Sequence, residues 1–167
     1  MASPIRLWVA GFTVAAVLGC GNPVAPVPRA SLIGLPDPPP GLLRCTPLPE
    51  DSASATIGPA GGSLSVGPHT LTIPAGALAE PVTITAVAPS GRVNLVRFQP
   101  QGLTFTTPAS LTLGYGNCDL LDALVPKRVA YTKDALEILE YTPSLDDPGA
   151  LQVTGQLRHF SDYAVAW

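Results

Sequence analysis

Alternation of apolar residues with hydroxyl-bearing ones is the feature that most limits what this chain can become. Leu64 and Val66 alternate with serines, and Leu71 and Ile73 with threonines. Val82-Thr83-Ile84-Thr85 and Leu111-Thr112-Leu113 repeat the scheme. A period of two puts one set of side chains on each face of a pleated strand, whereas a helix would spread them around its axis. Threonine suits the wet face, because its branched carbon fits the pleat while its hydroxyl meets water. Val93–Phe98, Val129–Tyr131, Leu136–Tyr141, Leu151–Leu157 and Tyr163–Trp167 are further strand candidates. Of these, Leu136–Tyr141 reads equally well as one amphipathic turn of helix. Gly58-Pro59-Ala60-Gly61-Gly62, Pro89-Ser90-Gly91 and Asp147-Pro148-Gly149 separate the candidates as turns. The 20 prolines and 16 glycines oppose a helical protein, since each breaks or weakens a helix. The pattern predicts an all-β fold, an antiparallel β-sandwich of roughly nine short strands over residues 50–167.

The segment ahead of that body has a different character. From Asn22 to Pro49 it carries nine of the chain's 20 prolines, including Pro36-Asp37-Pro38-Pro39-Pro40. Such a stretch favours extended polyproline conformations and builds no ladder of backbone hydrogen bonds. Residues 20–49 therefore read as a disordered tether, able to hold a domain up to roughly 90 Å from its anchor. A ligand for a proline-binding module is the alternative, and a spacer is the commoner use of such a segment.

Residues 1–19 read as an export signal. Arg6 and the amino terminus supply the positive start, and Leu7–Leu18 form an uncharged, mostly apolar run. That run is too short for a permanent bilayer span, which needs about 20 residues. It ends in Val17-Leu18-Gly19-Cys20, which resembles the bacterial lipoprotein signal. The resemblance implies cleavage before Cys20 and a diacylglycerol on its thiol, hence a membrane partner reached through a lipid anchor at Cys20. An ordinary secretory leader with a coincidental cysteine is the plainer alternative. Gly21 stands where an aspartate would favour retention in the inner membrane, so the expected location is the bacterial cell envelope, outer membrane in preference to inner.

With Cys20 lipidated, Cys45 and Cys118 remain. An oxidising compartment favours their pairing as a disulfide, worth about 4 kcal/mol of loop entropy. Their α-carbons are then expected about 4.4–6.8 Å apart. Nucleic acid is excluded as a partner: charged residues are 13% of the chain, lysines are limited to Lys127 and Lys133, and the net charge is −3.

A second resemblance covers about residues 55–167. Gly61-Gly62-Ser63, Leu71-Thr72-Ile73-Pro74-Ala75-Gly76-Ala77-Leu78 and Val82-Thr83-Ile84 are similar to the ZU-five domain. Leu103-Thr104-Phe105, Pro108-Ala109-Ser110-Leu111-Thr112-Leu113 and His159-Phe160-Ser161-Asp162-Tyr163-Ala164-Val165 continue the likeness, while the region around Cys118 departs from it. The family implies a β-sandwich and adaptor behaviour, and fold alone does not fix function. In the shared element, Pro74 lacks an amide hydrogen and ends the preceding ladder, Gly76 permits a positive φ, and Ala77-Leu78 form an apolar plug under the sheet edge.

Little in the chain announces chemistry. It has no histidine-glutamate zinc motif, phosphate loop, nucleophile elbow or paired-cysteine redox motif. Asp119, Asp122, Asp134, Asp146 and Asp147 lack the spacing of a calcium loop and read as solvated loop charge. His69 shares parity with Leu71 and Ile73 at a strand start and reads as a rim residue. No cofactor and no metal site are expected, and the domain is expected to be non-catalytic. One tripeptide carries a mechanism. Some relatives in the resembled family cut themselves at His-Phe-Ser, here His159, Phe160 and Ser161. Ser161 would attack the Phe160 carbonyl, with His159 taking the hydroxyl proton. The Phe160–Ser161 C–N bond would break to give an ester and a free amine, and water would hydrolyse the ester. The simpler reading is a bend at Ser161 with Phe160 in the core, leading into a final strand with Tyr163, Val165 and Trp167 on one buried face. The expected protein is thus a lipid-anchored envelope lipoprotein whose sandwich binds another protein or a glycan, or serves structurally.

Overall fold

The computed structural model describes residues 38–119, 125–133 and 136–167. The leader, Cys20 and the tether up to residue 37 lie outside the described residues, as do Asp122 and Asp134.

Among the described residues the chain forms eleven strands: β1 (Asp51–Ile57), β2 (Gly62–Val66), β3 (His69–Ile73), β4 (Val82–Ala88), β5 (Leu95–Gln99), β6 (Thr104–Gly114), β7 (Arg128–Lys133), β8 (Glu137–Tyr141), β9 (Ser144–Asp147), β10 (Gln152–His159) and β11 (Asp162–Ala166). They build two antiparallel sheets, one in the order β1-β4-β5-β11-β7-β8 and the other β2-β3-β6-β10-β9. The sheets pack face to face, so the fold is the expected all-β sandwich. The ambiguous Leu136–Tyr141 segment resolves as strand. Two strands were not legible by alternation. In β1 the inward residues are Ala53, Ala55 and Ile57, and alanine is a weak strand former. In β9 the pattern is inverted, because Leu145 faces out at 77% exposure while Asp146 is the less exposed residue.

The core joins Leu71, Ile73, Ile84, Val96, Leu111, Leu113, Val129, Val153 and Leu157 from both sheets. Its aromatic end holds Phe160, stacked on Phe98 at 4.8 Å between ring centroids and edge-on to Phe105 at 5.0 Å. The plug element behaves as its residues dictate. β3 stops at Ile73 before Pro74, Gly76 takes φ 78°, and Ala77 and Leu78 are buried. Ala77 N–H donates to Pro74 O, and Ala77 O accepts from Thr106 N–H, so the plug is tied to β6.

Cys45 and Cys118 form the expected disulfide, S–S 2.05 Å. Their α-carbons are 3.7 Å apart, closer than the expected range. Local pairing draws them together. Thr46 N–H donates to Asn117 O and Asp119 N–H to Arg44 O, which leaves the cysteines directly opposite as a non-hydrogen-bonded antiparallel pair, the arrangement with the closest α-carbons.

The last part of the expected tether is built into the sandwich. Leu42 bridges to Ala166, Leu43 N–H donates to Val165 O, and Trp167 N–H donates to Gly41 O. Residues 41–43 thus continue the line of β5 beside β11, and the body starts near residue 41 where the proline count had placed tether to residue 49. Leu42 covers Ala130, Ala164 and Ala166 together with Val93, Leu95, Leu136 and Ile138. A second, smaller apolar cluster therefore lies on the outer face of the six-stranded sheet. For this reason β11 is buried on both faces, and Trp167 follows the strand at 38% exposure.

Candidate functional site

The His159-Phe160-Ser161 tripeptide forms the corner between β10 and β11. Backbone bonds clamp it on both sides: Phe160 N–H donates to Leu103 O at 2.8 Å, Gly102 N–H to Phe160 O at 3.0 Å, and Phe98 N–H to Ser161 O at 3.2 Å. Phe160 is buried in the core and Ser161 is half-buried in a bend. Neither residue has a positive φ, and the peptide between them is trans. The His159 ring does not hydrogen-bond the Ser161 hydroxyl. Its Nδ1 lies 3.5 Å from the Phe160 carbonyl oxygen, and the ring meets Tyr131 edge-on at 5.0 Å. Two groups, the Gly102 amide and the His159 ring, therefore converge on one carbonyl oxygen.

Beside this corner the two sheets part to leave a cleft of about 310 Å³, lined on one side by Tyr131, Glu140 and Tyr163 and on the other by Gln156, Arg158 and His159. Its geometry follows from two irregularities. Along β10 the partner of Leu157 is Ala109 but that of His159 is Thr104. Pro108, which has no amide hydrogen, sits in the interrupted stretch. On the facing sheet Tyr131 pairs with Glu140 but Thr132 pairs with Ile138, so Leu139 is an extra residue. Above the cleft the sheets are drawn together at Gly155, where an added Cβ would lie 2.5 Å from Thr142 Oγ1 and 2.6 Å from Val129 Cβ. The link from β8 to β9 closes that end. Thr142 N–H donates to Val129 O, and Ser144 Oγ accepts from Val129 N–H. Tyr163 forms the floor. Its hydroxyl donates to His159 O at 2.6 Å, and burial pushes its phenol well above the usual range.

Tyr131, Glu140, Gln156 and Arg158 were missed by reading the sequence, because they come from three strands and share no local motif. The other candidates are structural. His69 is not a rim residue: it is 2% exposed, its Nδ1 has no partner, and burial lowers its pKa to about 4. Parity with Leu71 and Ile73 was the correct signal. Asp146 is not free loop charge. It accepts from the Tyr115 hydroxyl at 2.7 Å and from Lys127 N–H at 2.9 Å, and burial with this bond holds the Tyr115 phenol above its usual range. Asp147 accepts from Gly149 and Ala150 N–H and so orders the turn. Among the described residues no group of three or more His, Cys, Asp or Glu could hold a metal ion.

The chain matches no family model and no curated protein.

Proposed function

We propose that the protein is a lipid-anchored cell-envelope lipoprotein, held through Cys20 and carrying a non-catalytic, ZU-five-like binding module. The observation that supports this most is the Cys45–Cys118 disulfide. Structural disulfides persist outside the reducing cytosol, in keeping with an export leader that ends in Val17-Leu18-Gly19-Cys20. The outer membrane is the favoured location, with an envelope protein or glycan as partner. Metabolic labelling with an alkyne palmitate, followed by membrane fractionation, tests the anchor. The wild-type chain is labelled and partitions into detergent; Cys20→Ser is unlabelled and stays unprocessed or leaves the membrane. Native protein in a detergent-free extract with an unmodified Cys20 would overturn the reading.

A second reading, self-cleavage between Phe160 and Ser161, draws on the convergence at the Phe160 oxygen. A Gly102 N–H donor and the His159 ring are what the oxyanion of an attacked carbonyl requires. The clamped trans bend and the missing His159–Ser161 hydrogen bond favour an intact chain. Denaturing mass spectrometry after long incubation at neutral pH decides. A heptapeptide 161–167, absent from Ser161→Ala, would establish cleavage.

A further inference from the structure

We infer that the cleft between β8 and β10 binds a neutral sugar ring of a glycan; this deepens, and rests on, the reading of the domain as a binding module. Its volume of about 310 Å³ falls at the small end of ligand sites, so one ring fits and a folded peptide element does not.

The lining then selects the chemistry. Tyr131 and His159 are half-buried and line the cleft, and aromatic lining suits the C–H face of a pyranose. Around them stand a carboxylate (Glu140), an amide (Gln156) and a guanidinium (Arg158), all three exposed. The carboxylate and the guanidinium are planar with paired acceptor or donor atoms, the geometry that meets two neighbouring hydroxyls at once. Gln156 Nε2 donates to Ser110 Oγ at 3.0 Å, which leaves its carbonyl oxygen for a ligand. Glu140 is held beside Tyr131 by direct pairing across β7 and β8, so a ring lying on Tyr131 is within reach of the carboxylate.

Charged ligands fit less well. An anion attracted by Arg158 meets Glu140, and a cation attracted by Glu140 meets Arg158. A caged quaternary ammonium needs open space between several aromatic rings. Here the rings pack on one another, Tyr131 to His159 at 5.0 Å and Tyr131 to Tyr163 at 5.9 Å, which leaves no space between them. A ligand with many hydroxyls and no net charge uses both charged side chains as hydrogen-bond partners. The bulges on both sides of the cleft serve this arrangement, since bulges re-aim side chains beside binding sites.

The test is an NMR titration of the ¹⁵N-labelled, detergent-solubilised full chain with maltotriose, cellotriose and tri-N-acetylchitotriose, and with trigalacturonate as the anionic comparison. The expected result is saturable shifts from at least one neutral trisaccharide below about 10 mM, confined to residues 131, 140, 156–159 and 163 and their neighbours. Tyr131→Ala is expected to weaken binding about tenfold or more. Arg158→Ala, an exposed position that leaves the core untouched, is expected to weaken it about fivefold to tenfold. No saturable shift with any neutral probe, shifts mapping elsewhere, tighter binding of trigalacturonate, or unchanged binding in Arg158→Ala would each overturn the inference. Cys20 acylation, read by mass on the same sample, is independent: a lipidated chain with a silent cleft refutes the sugar site and leaves the anchor standing.

Discussion

The outer faces of the two sheets share hydroxyl pairing, which on the six-stranded sheet joins Ser54 with Thr85 and Thr56 with Thr83 across β1 and β4, and they differ around β11 and β7. On the five-stranded sheet, rows of hydroxyls run across the strands and pair with one another: Ser65 with Thr70, Ser63 with Thr72, Thr112 with Thr154. That face stays wet. On the six-stranded sheet, small residues Ala130, Ala164 and Ala166 lie under Leu42 and Ile138. That face is partly dry. Segment 41–46, despite its proline-rich surroundings, belongs to the folded body, and the disulfide fastens this strap to the segment that follows β6. The largest expected effect follows. Reducing Cys45–Cys118, or replacing both with alanine, should lower the unfolding free energy by about 4 kcal/mol, given the sequence separation of 73. Urea melts with and without reductant check it.

The two faces should also differ under single substitutions. Leu42→Ala removes a side chain that is 1% exposed and should cost about 3 kcal/mol. An equal loss from Leu42→Ala and from Thr112→Ala would erase the distinction between a covered and a wet face.

What was legible in the chain follows from this contrast. Alternation is visible where one face is apolar and the other hydroxylic, as in β2, β3 and β4. It fades where alanine does the burying, as in β1, and where both faces are covered, as in β11. The strap was hidden because Leu42-Leu43 is a short apolar pair among prolines, and its burial depends on residues far along the chain, from Val93 and Leu95 to Ala164 and Ala166. The disulfide was legible from counting, once Cys20 was set aside. The cleft was not, because register shifts in β6–β10 and β7–β8 create it; Pro108 marks the first, but nothing local marks the extra Leu139 of the second. His69 was half legible. Its parity pointed inward, and its place at a strand start suggested a rim.

His69 sharpens the comparison from inside the core. It is neutral when folded, because burial holds its pKa at about 4 against 6.5 in the unfolded chain. The small space beside it, about 20 Å³, is lined by apolar residues such as Leu48, Pro49 and Ala88 and by Asn94. Above pH 6.5 both states are neutral and nothing changes. Between 6.5 and 4 the unfolded state takes up the proton first, so stability falls with pH, by about 2 kcal/mol at pH 5. His69→Gln should flatten that part of the profile; equal slopes for the two proteins would refute the assignment. The smallest effect is on the wet face, where Thr112→Ala should stay within about 0.5 kcal/mol, read by the same melts.

The anchored, stapled and uncut protein is the central claim, and one intact mass of the native chain purified from membranes tests it most directly. The account predicts a single species that begins at an acylated Cys20, ends at Trp167 and lacks two hydrogens for the Cys45–Cys118 bond. A chain with residues 1–19 still attached, a bare Cys20, two free thiols, or a product ending at Phe160 would contradict it.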